Sequence, residues 1–439
     1  MTSVRSTAIK NVASNNKLNP LTAQALAAEL EGALKDLLAA WLPRCVDKPY
    51  GGFLCDFDYR WKASGPQHKM LEYQARMTRL IARVAAYPGL QSYGELASLG
   101  FAYLHDVLWD GEYGGWFRML SRTGAPLECA TKHGHGMSYA IGACAAYYEL
   151  TSDSESLARA KKGLQWLDRF AHDDEYGGYF ALYLRDGTRI SSSEQYPDRN
   201  SGRDCIGTPF GLKDANTNAD MLEAVADLHR VCPDTALHKR LLEMVEIVRD
   251  RIIVPPGAVH MYFQADWTPV PDFNRYGYGL NTANILARSC QGLAPGTDGK
   301  TAQVIKSVVD TLLRYGWDQS KGGFFYGGST FGPTYVEDVT ILIDGKFWWL
   351  QAEGLRALLR MALLYPDDEM QYFKRFKELW DYIKKYMIDW DRGGWLRAGL
   401  DSAPARRKQP KATPWKEPSH EVHSILECLR LLKGAMPLI

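Results

Sequence analysis

The histidines of this chain that could transfer protons lie in two short segments. His420 and His423 are three residues apart, so we expect them on the same face of a helix. His133 and His135 flank Gly134 directly before a predicted helix. A single His-x-His pattern without a third ligand is a weak metal signal, so we expect no bound metal. These histidines are therefore interpreted as acid–base or hydrogen-bonding groups.

Two acids and one arginine lie on predicted helices that are rich in apolar residues. Arg76 should point inward with its apolar neighbours, and a buried guanidinium requires a partner. Asp220 shares a helix register with Glu223, which favours a position facing a pocket. Glu353 follows two tryptophans, where a buried carboxylate is costly unless it faces a polar cavity. Asp220 with Glu353, or either of them with Glu421, could also form the acid/base pair of a glycoside hydrolase.

The elements that must position these residues form an internal repeat. Five Gly-Gly pairs are each followed by an aromatic residue, and their first glycines are 63, 63, 145 and 71 residues apart. The long interval is about two periods, so a sixth turn is expected near Gly257–Phe263. The five pairs begin at Gly51, Gly114, Gly177, Gly322 and Gly393, and the aspartates before them are Asp47, Asp110, Asp174, Asp318 and Asp391.

The segments between these turns have apolar residues at helical spacing, and each period contains about two predicted helices. The segments are Leu21–Leu42, Ser138–Leu150, Glu155–Phe170, Ala219–Val231, Thr235–Arg251, Thr301–Tyr315, Trp348–Leu364 and Met370–Met387. A helix pair cannot bury both of its faces alone, so six pairs predict an all-α, closed (α/α)6 barrel with short β elements at the ends of the pairs. An open solenoid is the alternative. The prediction is a single domain at 19–439, preceded by a disordered or extended arm at 1–18.

The composition excludes several classes of partner. A net charge of +1 gives no reason to expect nucleic acid or an anionic membrane surface. The N-terminal segment lacks the apolar run of a signal peptide, and the eight scattered cysteines suit a reduced, cytoplasmic protein. We expect a monomer or homodimer that acts without a cofactor. The long loops Ser191–Lys213 and Gly327–Asp344 are expected to cover a site at one end of the ring.

Motifs along nearly the whole chain resemble the N-acylglucosamine 2-epimerase superfamily, which includes cellobiose 2-epimerases and mannose isomerases. The similarity extends from about Leu21 to Leu432. Its pieces are Gly51-Gly52-Phe53, Gln74-Ala75-Arg76, Lys213-Asp214-Ala215-Asn216, Lys346-Phe347-Trp348-Trp349 with Glu353, and Trp415-Lys416-Glu417-Pro418-Ser419-His420. The resemblance implies an (α/α)6 barrel and a reaction that moves a proton at the carbon beside a sugar carbonyl.

The resemblance also implies roles for individual residues. His420 would be a proton-transfer base, Arg76 would polarise the carbonyl, and Glu353 would accept a hydroxyl proton. Asn216 would hold a hydroxyl group of the sugar, while Trp348 and Trp415 would stack on its ring.

The chain departs from the family pattern at the chemical positions. Asp220 stands where the family usually has a histidine, and Tyr278 and Asn281 stand where it usually has a histidine and a glutamate. His135 replaces a family tyrosine, and His423 replaces an arginine. We therefore predict Asp220 and Tyr278 as further catalytic candidates, and Asn281, His135 and His423 as substrate-binding residues.

These departures indicate a changed substrate or reaction, and they leave other functions open. One is hydrolysis of a glycoside by Asp220 and Glu353. Another is elimination from a polysaccharide or glycoside, with His420 or Tyr278 abstracting the proton. The third is carbohydrate binding without catalysis, for which the aromatic residues would suffice.

Overall fold

The computed structural model describes residues 18–196, 202–291, 293, 297–329, 340–401 and 403–439. The predicted arm at 1–18 lies outside the described residues except for Leu18. The described chain contains α1 (Pro20–Cys45), α2 (Leu71–Ala85), α3 (Gly94–Ala102), α4 (Gly134–Thr151), α5 (Ser154–Phe170), α6 (Ala215–Val231), α7 (Thr235–Ile247), α8 (Tyr276–Ser289), α9 (Thr297–Tyr315), α10 (Trp348–Leu364), α11 (Tyr372–Tyr386) and α12 (Ser419–Leu432).

The strands of the described chain are only two or three residues long. They are β1 (Lys69–Met70), β2 (Met119–Leu120), β3 (Lys132–His133), β4 (Leu182–Tyr183), β5 (Lys213–Asp214), β6 (Ile253–Val254), β7 (Ala258–Val259), β8 (Tyr262–Phe263), β9 (Pro269–Val270), β10 (Asn274–Arg275), β11 (Gly327–Gly328) and β12 (Ile341–Ile343). They pair antiparallel as β1–β2, β3–β4, β6–β7, β5–β8–β9 and β10–β11–β12.

The helices form two concentric layers that close into a ring. The even-numbered helices contact one another in chain order, and α12 returns to contact α2. The odd-numbered helices pack outside them, α1 on α12, α3 on α2, α5 on α4, α7 on α6, α9 on α8 and α11 on α10. The predicted (α/α)6 barrel is therefore confirmed, and the open solenoid is excluded by the contact of α12 with α1 and α2.

All eight predicted helical segments are helices, and the bounds of α10 match at both ends. The segment Thr235–Arg251 differs because α7 ends at Ile247 and a π-helical turn follows at Val248–Ile252. Four helices were not bounded from the sequence: α2, α3, α8 and α12. Among them, α2 buries almost every residue, including the polar and charged ones on its less apolar side.

The inner helices start at one end of the ring because short strands or bridges precede them. The strands β1, β3, β5 and β10 run directly into α2, α4, α6 and α8. Side-chain caps support these starts: the Asp214 carboxylate accepts from the Thr217 amide, and the His133 imidazole accepts from the His135 amide. Inner and outer helices alternate in direction, so the N-terminal turns of all six inner helices face the same opening.

The five Gly-Gly turns are equivalent, as the repeat predicts. All ten glycines have positive φ, a conformation that residues with a β-carbon adopt only with strain. In each turn an aspartate amide donates to the second glycine, and the aspartate carbonyl accepts from the first. The aspartates in this position are Asp47, Asp110, Asp173, Asp318 and Asp389.

Two of the aspartates noted before the turns in the sequence do not form the turn hydrogen bonds. Asp174 is 96% exposed and Asp391 is 65% exposed, and neither closes its turn. Asp173 and Asp389 do so instead, because the turn hydrogen bonds require the aspartate four residues before the first glycine. Sequence proximity alone did not distinguish neighbouring acids.

A lysine to which the sequence analysis gave no role binds each of these turns. Its ammonium group lies 2.6–3.1 Å from the turn aspartate and donates to the carbonyl of the first glycine. The five lysines are Lys69, Lys132, Lys213, Lys346 and Lys411. Each precedes an inner helix, so the lysine links the end of an outer helix to the start of the next inner one.

The expected sixth turn lies at Gly257 but is built differently. Gly257 has φ of +126° and closes the hairpin between β6 and β7. Asn274 of β10 lies two residues before the start of α8. Lys69 and Lys213 occupy the same position relative to the helices that follow them, so Asn274 replaces the lysine in this repeat. The lysine–aspartate link is thus replaced at this repeat by a β-hairpin.

Candidate active site

One cavity of about 540 Å³ opens at the end of the ring where the inner helices begin. A smaller cavity of about 30 Å³ lies below it and shares Arg76, Tyr139, Asp220, Asn281 and His420. The main cavity is also lined by His135, Asn216, Tyr278, Trp348 and Trp415, and the deep cavity by Glu353 and His423. The structure therefore brings together all eleven residues singled out from the sequence, while their roles stay predictions.

His420 is held by a buried carboxylate. Its Nδ1 lies 2.8 Å from Glu353 Oε1, and the Glu353 side chain is 1% exposed. The other oxygen of Glu353 accepts from Arg356 Nε at 2.9 Å and from Asn284 Nδ2 at 2.8 Å. A histidine that donates from Nδ1 to a carboxylate presents a basic Nε2, here towards the cavity.

Glu353 is ionised in this arrangement. Burial alone would raise the pKa of Glu353, but Arg356 and then His420 lower it to about 2. The carboxylate therefore positions His420 and stabilises its protonated form when the imidazole accepts a proton. Glu353 lies in the deep cavity beneath His420, so it is not among the residues that line the main cavity.

His135 also lies next to carboxylates. Its Nε2 is 3.2 Å from Asp220 Oδ2, and its Nδ1 is 3.8 Å from Glu72 Oε1. Burial alone would lower the pKa of His135, but the interactions with Asp220 and then Glu72 raise it. Neither oxygen of Glu72 has a hydrogen-bond partner within the described residues, although Arg118 Nε is 3.8 Å away.

Arg76 projects from α2 into the cavity between these two groups. Its guanidinium is 3.3 Å from the Tyr139 hydroxyl and 3.5 Å from Glu417 Oε1. It also lies over the Tyr139 ring, 4.4 Å from the centroid. Arg76 therefore points inward and has polar partners, as the sequence analysis predicted for a guanidinium on an apolar helix.

Aromatic rings form much of the cavity wall. Trp349 packs edge-on against Tyr278 at 5.2 Å and lies 5.8 Å from the His420 ring. Trp415 is 37% exposed and lies 6.3 Å from the His135 ring. Exposed aromatic faces beside hydrogen-bonding groups suit the CH faces and hydroxyls of a sugar.

Other predicted residues divide between the two cavities. Asn216 and Tyr278 face the main cavity, and burial raises the pKa of the Tyr278 hydroxyl. His423 faces only the deep cavity, where burial and then Arg83 lower its pKa far below the ordinary value. His423 is therefore a neutral imidazole under the site. Asn281 borders both cavities.

A buried ion network supports the floor of the site. Glu223 lies three residues after Asp220 on the same face of α6, and it is bound by Arg79 at 2.5 Å and by Arg288. Asp227 is bound by Arg79 and, at 2.8 Å, by Arg83. Glu223 is therefore used in the network, whereas Asp220 remains at the cavity surface.

Several cavity residues were not singled out from the sequence. They are Tyr139, Cys205, Ile206, Tyr326, Ile343, Phe347, Trp349 and Arg397. Cys205, Ile206 and Ile343 belong to the two long loops expected to cover a site. Tyr139 is one helical turn after His135, which is the signal that could have identified it. The central parts of both loops, 197–201 and 330–339, lie outside the described residues.

Glu72, His133 and Cys205 form the one group of potential metal ligands within the described residues, with donor atoms within 4.8 Å of one another. Both nitrogens of His133 are already engaged. Nε2 is 3.0 Å from Asp204 Oδ2, and Nδ1 accepts from the His135 amide. A metal would have to displace either the helix cap or Asp204 from His133, so these residues do not form a ready metal site.

All eight cysteines are free thiols. Over the residues that the structure describes, no helix combines the length and the apolar character needed to cross a membrane.

Comparison with known proteins gives consistent matches. The sequence profile of the N-acylglucosamine 2-epimerase family matches residues 201–415. A cellobiose 2-epimerase of Bacteroides fragilis is 24% identical over 90% of this chain and 95% of its own. A D-mannose isomerase of Marinomonas mediterranea is 23% identical over 92% of this chain and 97% of its own. The solved cellobiose 2-epimerase of Bacillus thermoamylovorans superposes with a TM-score of 0.80 at 20% identity, covering 93% of this chain and 99% of that one.

Proposed function

Because this chain belongs to the N-acylglucosamine 2-epimerase superfamily, we propose that it is a carbohydrate epimerase or isomerase that transfers a proton at the carbon beside a sugar carbonyl. Its substrate is a ring-opened sugar that binds in the cavity at the N-terminal ends of the inner helices.

The contact of His420 with Glu353 is the observation that supports this proposal most directly. The ionised carboxylate holds Nδ1–H at 2.8 Å and leaves Nε2 for a substrate carbon. This is the arrangement required of a general base whose imidazolium form must be stabilised. A protein that only bound sugar would gain nothing from a buried histidine–glutamate–arginine chain below its aromatic surface.

The reaction follows from these groups. His420 Nε2 removes the proton from C2 of the open-chain sugar, and the electron pair of that bond moves to the carbonyl to form an enediolate. Arg76, with Tyr139, stabilises the negative charge that develops on the oxygens. Return of a proton to C2 gives an epimer or the starting sugar, and delivery to C1 gives an isomer.

The hydrolase alternative is less well supported. A glycosidase needs one carboxylic acid that is protonated near neutral pH. Glu353 is ionised, with a pKa of about 2, and its oxygens bind Arg356, Asn284 and His420. Asp220 lies 3.2 Å from His135 Nε2 and is therefore already paired with an imidazole. Burial raises the pKa of Glu421 to about 8, but Glu421 lines neither cavity.

The proposal is tested by incubating the protein with a panel of reducing sugars in D₂O. We expect carbon-bound deuterium at C2 or C1 of one sugar class, with loss of turnover by about 10²-fold or more in His420→Asn. His172 is a matched control because it also lies between two carboxylates, Asp174 and Glu243, but outside the cavity. New reducing ends without deuterium, or an unsaturated product, would instead indicate hydrolysis or elimination.

A further inference from the structure

We propose that His135, paired with Asp220, is the second proton-transferring residue of this site and acts on the substrate face opposite His420. The inference rests on the proposed function and specifies how the reaction inverts a carbon. It assigns His135 a catalytic role in place of the substrate-binding role expected from the sequence.

Inversion at C2 requires two proton-transferring groups. A base on one face of the planar enediolate can return a proton only to that face, which regenerates the starting sugar. The product epimer forms when a donor on the other face supplies the proton. One histidine is therefore sufficient for proton exchange but not for epimerisation.

The order of the helices in the ring places the pair of His135 and Asp220 across from the pair of Glu353 and His420. The inner ring runs α2, α4, α6, α8, α10, α12 and closes on α2, so α4 is opposite α10 and α6 is opposite α12. His135 and Asp220 belong to α4 and α6, whereas Glu353 and His420 belong to α10 and α12. The two histidine–carboxylate pairs therefore lie on opposite walls of one cavity. Arg76 of α2 projects between them.

His135 is also the side chain in the cavity with suitable chemistry. It and His420 are the two histidines among the described residues that line the main cavity. The Nδ1 atom of His135 is buried towards Glu72, so Nε2, on the Asp220 side, is the nitrogen left to face the substrate. Tyr278, the other candidate acid, keeps its proton because burial raises its pKa.

Negative charge around His135 favours the donor form. Asp220 lies 3.2 Å from Nε2 and Glu72 lies 3.8 Å from Nδ1, so an imidazolium is stabilised on both sides. His420 contacts one carboxylate, Glu353, which also binds Arg356. The proposal therefore assigns the donor role to His135 and the base role to His420.

The proton balance is closed. His420 Nε2 takes the C2 proton as the enediolate forms, and His135 Nε2–H gives its proton to the opposite face of C2 as the carbonyl re-forms. One C–H bond breaks and one forms, His420 ends protonated and His135 neutral. Exchange with water, or turnover in the reverse direction, restores the starting protonation states.

The test separates proton exchange from inversion. In D₂O, His135→Asn should lose epimerisation by about 10²-fold or more. It should still exchange the C2 proton of the one epimer whose C–H bond faces His420, with retained configuration. His420→Asn should show the mirror pattern, exchanging only the other epimer. His172→Asn should behave as the unchanged protein, and His135→Gln provides a second variant if His135→Asn does not fold.

Each outcome has a distinct meaning. Epimerisation by His135→Asn within about threefold of the unchanged protein would overturn the inference and leave the proposed function intact. Loss of both exchange and inversion in a folded His135→Asn protein would also overturn it, because His420 would then not act alone on its face. Absence of deuterium incorporation by the unchanged protein with every sugar would remove the proposed function itself.

Discussion

At the scale of single residues, the pKa values of two buried acidic groups differ because their partners differ. Glu353 accepts from Arg356, Asn284 and His420, and its pKa falls to about 2. Glu421, one residue after His420, has no hydrogen-bond partner for either oxygen within the described residues, and burial raises its pKa to about 8. Partners, not residue type, thus decide which carboxylate can hold a histidine in place.

The Glu353→Gln substitution should show whether Glu353 acts by positioning His420 or only by stabilising the barrel. We expect kcat to fall by about 10²-fold or more with little change in KM, because the neutral amide no longer stabilises the His420 imidazolium. Glu427 is the matched control, since it also binds Arg356, at 3.1 Å, but does not touch His420. Both variants should unfold at lower urea concentration. An equal loss of kcat in Glu427→Gln would indicate that Glu353 acts only through the stability of the barrel.

At the scale of elements, the lysine-bound glycine turns define the ends of the helices that hold the site. Each lysine binds a carboxylate and a turn carbonyl at once, and four of the five lysines are two residues before an inner helix. At α6 the residue after the lysine is Asp214, whose side chain caps the helix. The turns therefore help to fix where the inner helices begin.

Neighbouring aspartates in the third turn provide a sharp comparison. Asp173→Asn should lower the free energy of unfolding by about 3 kcal/mol or more, because it leaves the buried Lys213 ammonium without its counter-charge. Asp174→Asn should change it by less than about 1 kcal/mol, since Asp174 is 96% exposed. Urea unfolding followed by tryptophan fluorescence measures both. Equal effects would contradict the assignment of Asp173 to the turn.

At the scale of the whole molecule, the barrel encloses an extensive set of ionised carboxylates. Arg79 holds Glu223 and Asp227 below the site, and the pKa values of both acids lie far below their ordinary range although burial opposes this. Glu353 adds another such group. Because the ring is closed, these pairs join helices that are distant in sequence, and their loss affects the whole fold.

The molecule should therefore lose stability in acid. A carboxylate whose folded pKa is depressed stabilises the protein above its unfolded pKa, and the contribution is lost as the pH falls through the folded value. For Glu353 the window runs from about pH 4.5 to about pH 2. The loss for that group alone is up to roughly 3 kcal/mol. Urea midpoints measured at pH 7, 4 and 3 should decrease in that order, and a constant midpoint would contradict the ion network.

The sequence alone was sufficient for the architecture, and it identified eleven of the residues that line the two cavities but missed others such as Tyr139 and Trp349. The spacing of the glycine turns predicted six helix pairs, and ordered motifs predicted which side chains share a cavity. The first signal is local, because a tight turn needs glycine at fixed positions and a helix has its apolar residues at a fixed period. The second signal came from the resemblance to the family. Motif position likewise marked Asp220 and His135 as departures from the family pattern.

Tertiary structure decided how those side chains pair. The choice of Asp173 over Asp174 depends on turn hydrogen bonds and on Lys213, 40 residues later. The contact between His135 and Asp220 forms because α4 packs beside α6, and it shares a cavity with His420 because α12 closes the ring on α2. Such pairings join residues far apart in sequence, where no local periodicity acts. The free energy of packing the entire ring determines which charges meet and on which wall of the cavity they lie.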